Sequence, residues 1–237
     1  MDSVLDLQGA RCDPLLASGA DGRLGAARTV GDARGRTAGA VAWIVVERGE
    51  GCLTAGATST DVGGRDDVFD GPGWSAIVGR GTEFAVDGDI AATTVWCAAD
   101  RDTPTRIIDP DTVVDERRGE GATVRRVRTY VPEGPLIVGE TLNPPGGWSS
   151  WPPHRHDHEE CYLYRFDPGH GFGVHVGFDD TMNEPHDRPI VVRDGAIERI
   201  TSGWHPVVAA PGATMYYLWA LAGDTDTVDT RVDGRFV

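Results

Sequence analysis

The spacing of glycine and proline constrains this chain more than any other feature of its sequence. Glycine occurs 32 times and proline 15 times in 237 residues, so a residue that interrupts regular structure recurs every few positions. No window of a dozen residues keeps apolar side chains at the i, i+3, i+4 and i+7 positions of an amphipathic helix. Glycine and proline both disfavour helix interiors. We therefore expect little helix.

Short runs of β-branched and aromatic residues lie between these breaks. Such strand-length runs, separated by clusters of Gly, Asp and Pro, are typical of a β-sandwich or a β-barrel. The sequence therefore predicts an all-β fold. The predicted strands cover residues 41–46, 76–78, 93–97, 136–140, 162–166, 173–178, 190–192 and 215–221.

The order of strands and turns suggests two halves, residues 1–128 and 129–237. The first half has its strands at about 30–100, followed by a connecting segment at about 100–128 that is rich in Asp and Arg and poor in apolar residues. The second half has its own strands. Each half shows a strand, a Gly turn, a strand, a second Gly-containing turn and a strand, which suggests a distant internal duplication.

The net charge of the chain limits the kinds of partner that it can bind. The formal net charge is −15 at pH 7, and all 22 basic residues are arginine. An acidic chain repels nucleic-acid phosphates unless its basic residues are concentrated on one surface. No apolar run reaches the roughly 20 residues that span a bilayer, and the first residues lack the basic and apolar regions of a signal peptide. We predict a cytoplasmic protein that binds neither nucleic acid nor membrane.

The histidines are concentrated in the second half, where all seven lie between positions 154 and 205. His154 and His156 are two residues apart, so on a strand both side chains point to one face. Glu160 follows after three residues, and His205 stands in the segment SGWHPV. Three imidazoles and one carboxylate suit a single divalent ion, with zinc or manganese favoured over iron or nickel, and leave coordination positions for substrate oxygens.

Two alternatives compete with this assignment. An isolated His-x-His pair in an acidic protein is most often solvated surface, but here a trailing Glu, two prolines and a distant Gly-Trp-His favour a site. His158 would share the face of His154 and His156 if the strand ran straight on. Glu160 is preferred because a carboxylate suits such cations and because His158 is expected to lie in a turn. His170 and His186 stand among Gly, Pro and Asp residues and are predicted to be loop residues.

The residues around these histidines resemble a known family. The spacing HxH-x3-E with a later His is similar to the general cupin pattern. The segments GGWSSWPPHRHD, EECYLYRF, GFGVHVGFDD, VVRDG, GWHPVVAAPG and MYYLWALAG resemble the 5-deoxy-glucuronate isomerase family of myo-inositol catabolism, which is related to the 5-keto-4-deoxyuronate isomerases. The resemblance covers about 140–223 closely and about 40–130 more loosely.

The resemblance implies a bicupin, that is, two β-barrel (jelly-roll) cupin domains, of which only the second binds metal. It implies a metal-dependent aldose–ketose isomerase of a 5-deoxy-glucuronate-like sugar acid, and we expect a homo-oligomer. The metal ligands would be His154, His156, Glu160 and His205. The chain departs from the family in a shorter loop between its HxHD and EE segments and in His175, where the family tends to have glutamine. These departures leave the substrate open.

Period-two alternation from Glu160 selects further candidates. It places Tyr162 and Tyr164 on the metal-facing side of their strand and Arg165 opposite. We predict His175, Tyr164 and Tyr217 as catalytic residues, and Tyr162 and Arg165 as substrate-binding residues. The alternatives are that the tyrosines only fill the core and that Arg165 pairs with acidic surface residues.

The predicted reaction moves a proton between adjacent carbons through an enediolate, whose negative charge a divalent ion would stabilise. Three other functions remain open: a paralogue that acts on another sugar or polyol, a sugar-binding cupin without turnover, and a metal-dependent oxygenase.

Overall fold

A computed structural model describes residues 5–9, 12–16, 22–180 and 188–237 of the chain. These residues form 21 β-strands and three short 3-10 helices, and within them no α-helix occurs. The all-β prediction is confirmed. None of the helical segments in this part of the chain is long and apolar enough to cross a membrane.

The chain divides into two compact units that interleave along the sequence. Unit 1 comprises the described residues of Met1–Val113 together with Tyr130–Val138 and Ala222–Asp226. Unit 2 comprises Val114–Thr129, Thr227–Val237 and the described residues of Gly139–Leu221. The division of the chain at residue 128 that the sequence suggested stays a prediction.

Unit 1 is built on a nine-stranded antiparallel sheet in the order β1-β4-β8-β5-β7-β9, with β2 on β3, β3 also on β8, and β6 on β5. Its two longest strands, β5 and β8, have 16 residues each and pair along almost their whole length. Gly49 has a φ of +97°, and a Cβ there would lie 1.9 Å from the carbonyl oxygen of Asp89, so only glycine fits. The strands are β1 Leu5–Gly9, β2 Cys12–Leu16, β3 Leu24–Val30, β4 Ala33–Thr37, β5 Ala40–Ala55, β6 Thr58–Val62, β7 Ser75–Val78, β8 Glu83–Ala98 and β9 Arg106–Ile108.

Unit 2 contains most of a six-stranded sheet in the order β10-β11-β12-β20-β15-β18 and all of a four-stranded sheet in the order β13-β19-β16-β17. A short pair, β14 with β21, lies apart from both sheets. The strands are β10 Val114–Arg118, β11 Arg125–Val131, β12 Leu136–Asn143, β13 Trp148–Ser149, β14 His154–Arg155, β15 Glu159–Asp167, β16 Phe172–Gly177, β17 Arg188–Arg193, β18 Ile197–Ile200, β19 Val207–Ala209, β20 Thr214–Ala222 and β21 Arg231–Val232. The 3-10 helices are Pro110–Thr112, Gly121–Thr123 and Gly234–Phe236.

The two sheets of unit 2 pack face to face around an aromatic core. Tyr162, Tyr164 and Phe166 of β15 enter this core at every second position, as the pleat of a strand requires. Met215 and Tyr217 of β20 join them, with aliphatic residues of the four-stranded sheet opposite. The inner face of β15 therefore begins at Glu160, at the open end of this core.

The connecting segment predicted at about 100–128 contains strands that the sequence did not indicate. β10 pairs with β11 in an antiparallel ribbon. Its charged residues form ion pairs, with Arg126 on Asp115 at 2.7 Å and Arg118 on Glu116. A strand that is covered by paired charges lacks the apolar alternation by which strands are recognised in a sequence.

Candidate metal centre

The four predicted ligands come from three separate stretches of unit 2. β14 carries His154, and His156 follows it directly. A bend at residues 157–158 reverses the chain, so Glu160 at the start of β15 returns to the same point. His205 precedes β19, next to an isolated bridge between Phe178 and Trp204.

The side chains of these residues converge. One ring nitrogen from each of His154, His156 and His205 lies within 4.8 Å of the other two. The Glu160 Oε2 atom lies 3.1 Å from His156 Nε2 and 3.2 Å from His205 Nε2. Two ligand atoms that each lie about 2.1 Å from one ion, at a right angle, are about 3 Å apart. The spacing therefore fits neighbouring ligands on a single ion.

The other nitrogens of two rings face backbone carbonyls. His156 Nδ1 lies 2.9 Å from the oxygen of His158, and His205 Nδ1 lies 3.1 Å from the oxygen of Gly203. A carbonyl oxygen only accepts, so both Nδ1 atoms donate. The neutral tautomers then direct their Nε2 lone pairs toward Glu160, as metal-bound histidines with a carbonyl behind them do.

This arrangement requires a positive charge between the imidazole rings of His156 and His205 and the carboxylate of Glu160. His205 Nε2 is buried and, within the described residues, makes no hydrogen bond of acceptable geometry, although it lies close to Glu160. Two lone pairs directed at a carboxylate repel it unless a proton or a metal cation lies between them. The donor set of imidazoles and a carboxylate is one that borderline divalent metals prefer. The residues present therefore fit a metal ion.

The electrostatics of the cluster agree with this requirement. Burial raises the pKa of Glu160, but the close contacts with His156 and His205 outweigh it, so the pKa lies far below its usual range. Burial lowers the pKa of His156, but its hydrogen bond to Glu160 and the charge of Glu160 raise it overall. For His154, burial and then the charge of His205 lower the pKa to about 4, so its ring is neutral at neutral pH.

The cluster does not include His158, Arg165 or His170. His158 is in the bend, and its backbone oxygen rather than its ring supports His156. Arg165 points away from the core of unit 2, and its Nε atom donates to Asp194 at 3.1 Å. The structure does not bring Arg165 together with the other candidates. His170 lies in the turn after β15, and His186 lies outside the described residues.

The remaining candidates, three tyrosines and His175, contact one another next to the cluster. Tyr164 places its hydroxyl 2.9 Å from Nδ1 of His175. Tyr162 stacks near Tyr217, with ring centroids 4.4 Å apart, and lies 6.3 Å from the ring of His205. Burial above all raises the pKa of all three tyrosines, so they are protonated at neutral pH.

An open cleft of about 380 Å³ leads to this region. His175 and His205 line it together with polar residues of β18 and of the following turn, including Glu198, Arg199 and Ser202. Burial, and then the charge of His205, lower the pKa of His175 to about 4. A neutral imidazole and the predicted metal ligand His205 thus line the same cleft, whose volume suits a small polar molecule.

Comparison with known proteins assigns the chain to a family. The model of the KduI/IolB family matches residues 30–236, which is most of the chain. The chain belongs to the KduI/IolB family.

Curated relatives of this KduI/IolB chain carry one name. The 5-deoxy-glucuronate isomerase of Geobacillus kaustophilus is 35% identical over 182 residues, which are 70% of this chain and 65% of that protein. The 5-deoxy-glucuronate isomerase of Shouchella clausii is 32% identical, covering 76% of this chain and 72% of that protein. The match to the first relative therefore spans slightly less than two thirds of that relative's length.

Solved structures show the cupin fold. An IolB-like protein from Salmonella typhimurium superposes with a TM-score of 0.88 at 23% identity, covering 99% of this chain and 98% of that chain. A cupin 2 conserved barrel domain protein from Leptotrichia buccalis superposes with a TM-score of 0.53 at 10% identity, covering 91% of each chain. That both units are cupin barrels stays a prediction.

Several polar residues that support the site in this KduI/IolB chain were missed from the sequence. Tyr217 donates to Ser149 Oγ at 2.9 Å, and the side-chain amide of Asn143 donates to the same atom at 2.8 Å. Ser150 has a φ of +53° and holds its hydroxyl 3.1 Å from that of Tyr162. Serines in a turn carry no pattern that indicates a site. Only the segment GGWSSWPP, directly before His154, could have drawn attention to them.

Proposed function

We propose that this protein is a metal-dependent aldose–ketose isomerase that acts on a 5-deoxy-glucuronate-like sugar acid. The observation that carries the proposal is the convergence of His154, His156 and His205 with the Glu160 carboxylate in a region that an open cleft reaches. The names of the curated relatives support the same class of activity.

The metal would be held by the three imidazoles and by Glu160, with zinc or manganese as the favoured ion. A divalent ion in such a site polarises a carbonyl and stabilises the negative charge of an enediolate. Three neutral imidazoles and one carboxylate leave an excess of about one positive charge on a divalent site, which favours an anionic intermediate. The protein's part is to hold this charge in a mostly buried position and to keep the ligands oriented.

The proton would be carried by His175. Its low pKa keeps the ring neutral at neutral pH, as a group that accepts a proton must be. Its Nδ1 can donate to the Tyr164 oxygen at 2.9 Å, which fixes the tautomer that leaves the Nε2 lone pair free. Tyr162 and Tyr217 would border the substrate. Tyr217 is itself oriented by Ser149.

Isotope exchange tests the proposal directly. Purified protein of known metal content is incubated with 5-deoxy-glucuronate, and with a panel of uronic acids, in deuterated water, and the products are followed by NMR. We expect ketose formation with deuterium at the carbon next to the carbonyl, and loss of both in Glu160→Gln. Glu47→Gln, which changes a buried carboxylate of unit 1, is the matched control and should keep both. No turnover with any acid would overturn the proposal.

The shortened loop before Glu160 favours a second candidate, a family member that acts on a different sugar or polyol. The bend that replaces the loop brings His158 into a buried position beside His156, where it reshapes this side of the site. Turnover of another compound in the panel, with 5-deoxy-glucuronate left unchanged, would favour this candidate. Tight binding of a sugar acid without any exchange would instead indicate a sugar-binding cupin, and activity that requires dioxygen would indicate an oxygenase.

A further inference from the structure

We propose that Arg125 binds the carboxylate of the substrate and so selects sugar acids over neutral sugars. This inference rests on the proposed function, because it names the group that recognises the acid end of the substrate. Arg165, which the sequence suggested for this role, is bonded to Asp194 on the other side of β15.

The alternation of side chains places Arg125 on the inner face of the six-stranded sheet. On the outer face, Arg128 of β11 donates to Glu140 of β12 at 3.1 Å, and Tyr216 of β20 donates to the same carboxylate at 2.9 Å. Arg125 is three residues from Arg128, so it points to the opposite face. Tyr217 adjoins Tyr216, and it points to that opposite face too.

This inner face is the one that carries the candidate site. Tyr217 packs against Tyr162 of β15, and Tyr162 alternates with Glu160 on the same strand. Directly before Arg125, the 3-10 helix Gly121–Thr123 lies against β13, where Ser149 accepts the hydrogen bond of Tyr217. Arg125 therefore lies on the face of the sheet that carries Tyr217 and the residues that surround the predicted metal.

Arg125 differs from its neighbours in its partners. Its guanidinium is half-buried and donates to the carbonyl oxygen of Thr123 at 3.0 Å. Within the described residues no carboxylate pairs with it, whereas Arg126 is bonded to Asp115 and Arg199 to Glu159. Arginine presents several donors in a planar fork that matches a carboxylate. A half-buried arginine with donors left over is thus suited to an anionic ligand.

The charge of Arg125 also acts at the site. It opposes the rise in the pKa of Tyr217, which burial raises. A cation that acts on a tyrosine of the core beside the candidate metal site is placed to attract the acid end of a sugar whose carbonyl end lies at the metal.

Calorimetry with two probes tests this assignment independently of turnover. D-glucuronate and D-glucose, which differ in the carboxylate, are titrated into metal-loaded wild-type protein and into Arg125→Met, Arg125→Lys and Arg126→Met. We expect Arg125→Met to bind D-glucuronate about 30-fold more weakly, as the loss of a charge-assisted pair predicts, with D-glucose binding and metal content unchanged. Arg125→Lys should fall between. Arg126→Met, adjacent in sequence but on the outer face, should match the wild type.

The outcomes separate this inference from the proposed function. Loss of the preference for D-glucuronate in Arg125→Met supports the inference even if no isomerisation is detected. Where isomerisation is detected, the substitution should raise KM for the acid far more than it lowers kcat. The inference is overturned if Arg125→Met retains the preference, if Arg199→Met rather than Arg125→Met loses it, or if the wild type shows no preference for the acid.

Discussion

The two units have β-sheet cores of opposite chemical character. One core cluster of unit 1 is formed by aliphatic side chains with one phenylalanine, among them Ile44, Leu53 and Phe84, and Trp43 and Tyr130 are buried outside this cluster. The core of unit 2 contains Tyr162, Tyr164 and Tyr217 and continues into the histidines and Glu160. The alternation of a strand determines which side chains point inward but not their chemical type. Similar strands therefore form an apolar cluster in unit 1 and a polar site in unit 2.

The difference lies in how buried polar groups are satisfied. In unit 1 the charge of the buried Glu47 carboxylate is balanced by Arg28 at 2.9 Å, and the carboxylate accepts a further hydrogen bond from the hydroxyl of Thr93 at 2.5 Å. In unit 2 the carboxylate of Glu160 is paired, among the residues that the structure describes, only with nitrogens of His156 and His205. A carboxylate among imidazoles calls for a cation, whereas one bonded to arginine does not. Matched substitutions in the two units therefore test this contrast.

Replacing the buried carboxylate of each unit should give the largest difference in zinc affinity between the two units. Glu160→Gln keeps the shape of the side chain but removes its charge, so we expect zinc affinity to fall by more than about 100-fold, beyond the usual effect of changing a supporting residue. Glu47→Gln should bind zinc like the wild type. Competition with a chromophoric chelator measures both. Equal losses in the two variants would contradict the contrast between the units.

The C-terminal tail offers the second test, because it supports the ligand strand. β21 pairs with β14, with Val232 opposite His154, and the backbone N–H of Asp233 donates to the oxygen of Pro153 at 2.9 Å. Phe236 packs against Trp151, with ring centroids 5.4 Å apart. Removing residues 231–237 should weaken metal binding by about 10- to 100-fold.

Cobalt bound at the site allows the role of the tail to be measured without an activity assay. Its visible spectrum reports the geometry of the ligands, so a tail that positions His154 should alter the spectrum when it is removed. Phe236→Ala, which keeps the β14–β21 pairing, should show a smaller loss of affinity. A truncated protein with wild-type affinity and spectrum would show that the tail does not position the ligands.

The sequence indicated the strands and the candidate metal ligands better than it indicated the residues that support them. Seven of the eight apolar runs lie within strands, and the run 173–178 ends one residue beyond β16; the strands are often longer than the runs because polar residues continue the pairing. The His-x-His spacing and the later histidine are local patterns, and the structure brings these side chains together. Arg125 and the tail could not be assigned, because their roles depend on pairings between strands that are distant in the chain, such as β14 with β21. β10 was also not predicted, because its charged residues form ion pairs and show no apolar alternation.

Acid should destabilise unit 2 through His175. The pKa of this residue is about 4 in the folded protein because burial, and then the charge of His205, lower it, against an ordinary value of 6.5. Between these values the unfolded chain binds more protons, so stability falls as the pH falls through this range. We expect metal-free wild-type protein to lose about 2 kcal/mol more than His175→Gln between pH 7.5 and pH 5.

Urea unfolding in the presence of a chelator measures this difference at the two pH values. The side-chain amide of glutamine can still donate to the Tyr164 oxygen, so the variant should remain folded at pH 7.5. His170→Gln, in the turn after β15 and exposed, is the control for the loss of a histidine and should follow the wild type. Parallel losses of stability in the wild type and in His175→Gln would mean that His175 does not contribute to the acid sensitivity.

Removing one tyrosine hydroxyl from each unit should have the smallest effect. Tyr130 of unit 1 accepts a hydrogen bond from the backbone N–H of Gly73 at 2.8 Å, and Tyr164 of unit 2 lies 2.9 Å from His175 Nδ1. Either change to Phe should cost about 1 kcal/mol of stability, because a buried polar partner is left unsatisfied. Only Tyr164→Phe should also alter the site, shifting the NMR titration of His175 and lowering kcat by about 10-fold. If Tyr130→Phe lowered kcat equally at unchanged metal content, the hydroxyl of Tyr164 would have no special part in proton transfer, and Tyr164 would be a core residue like Tyr130.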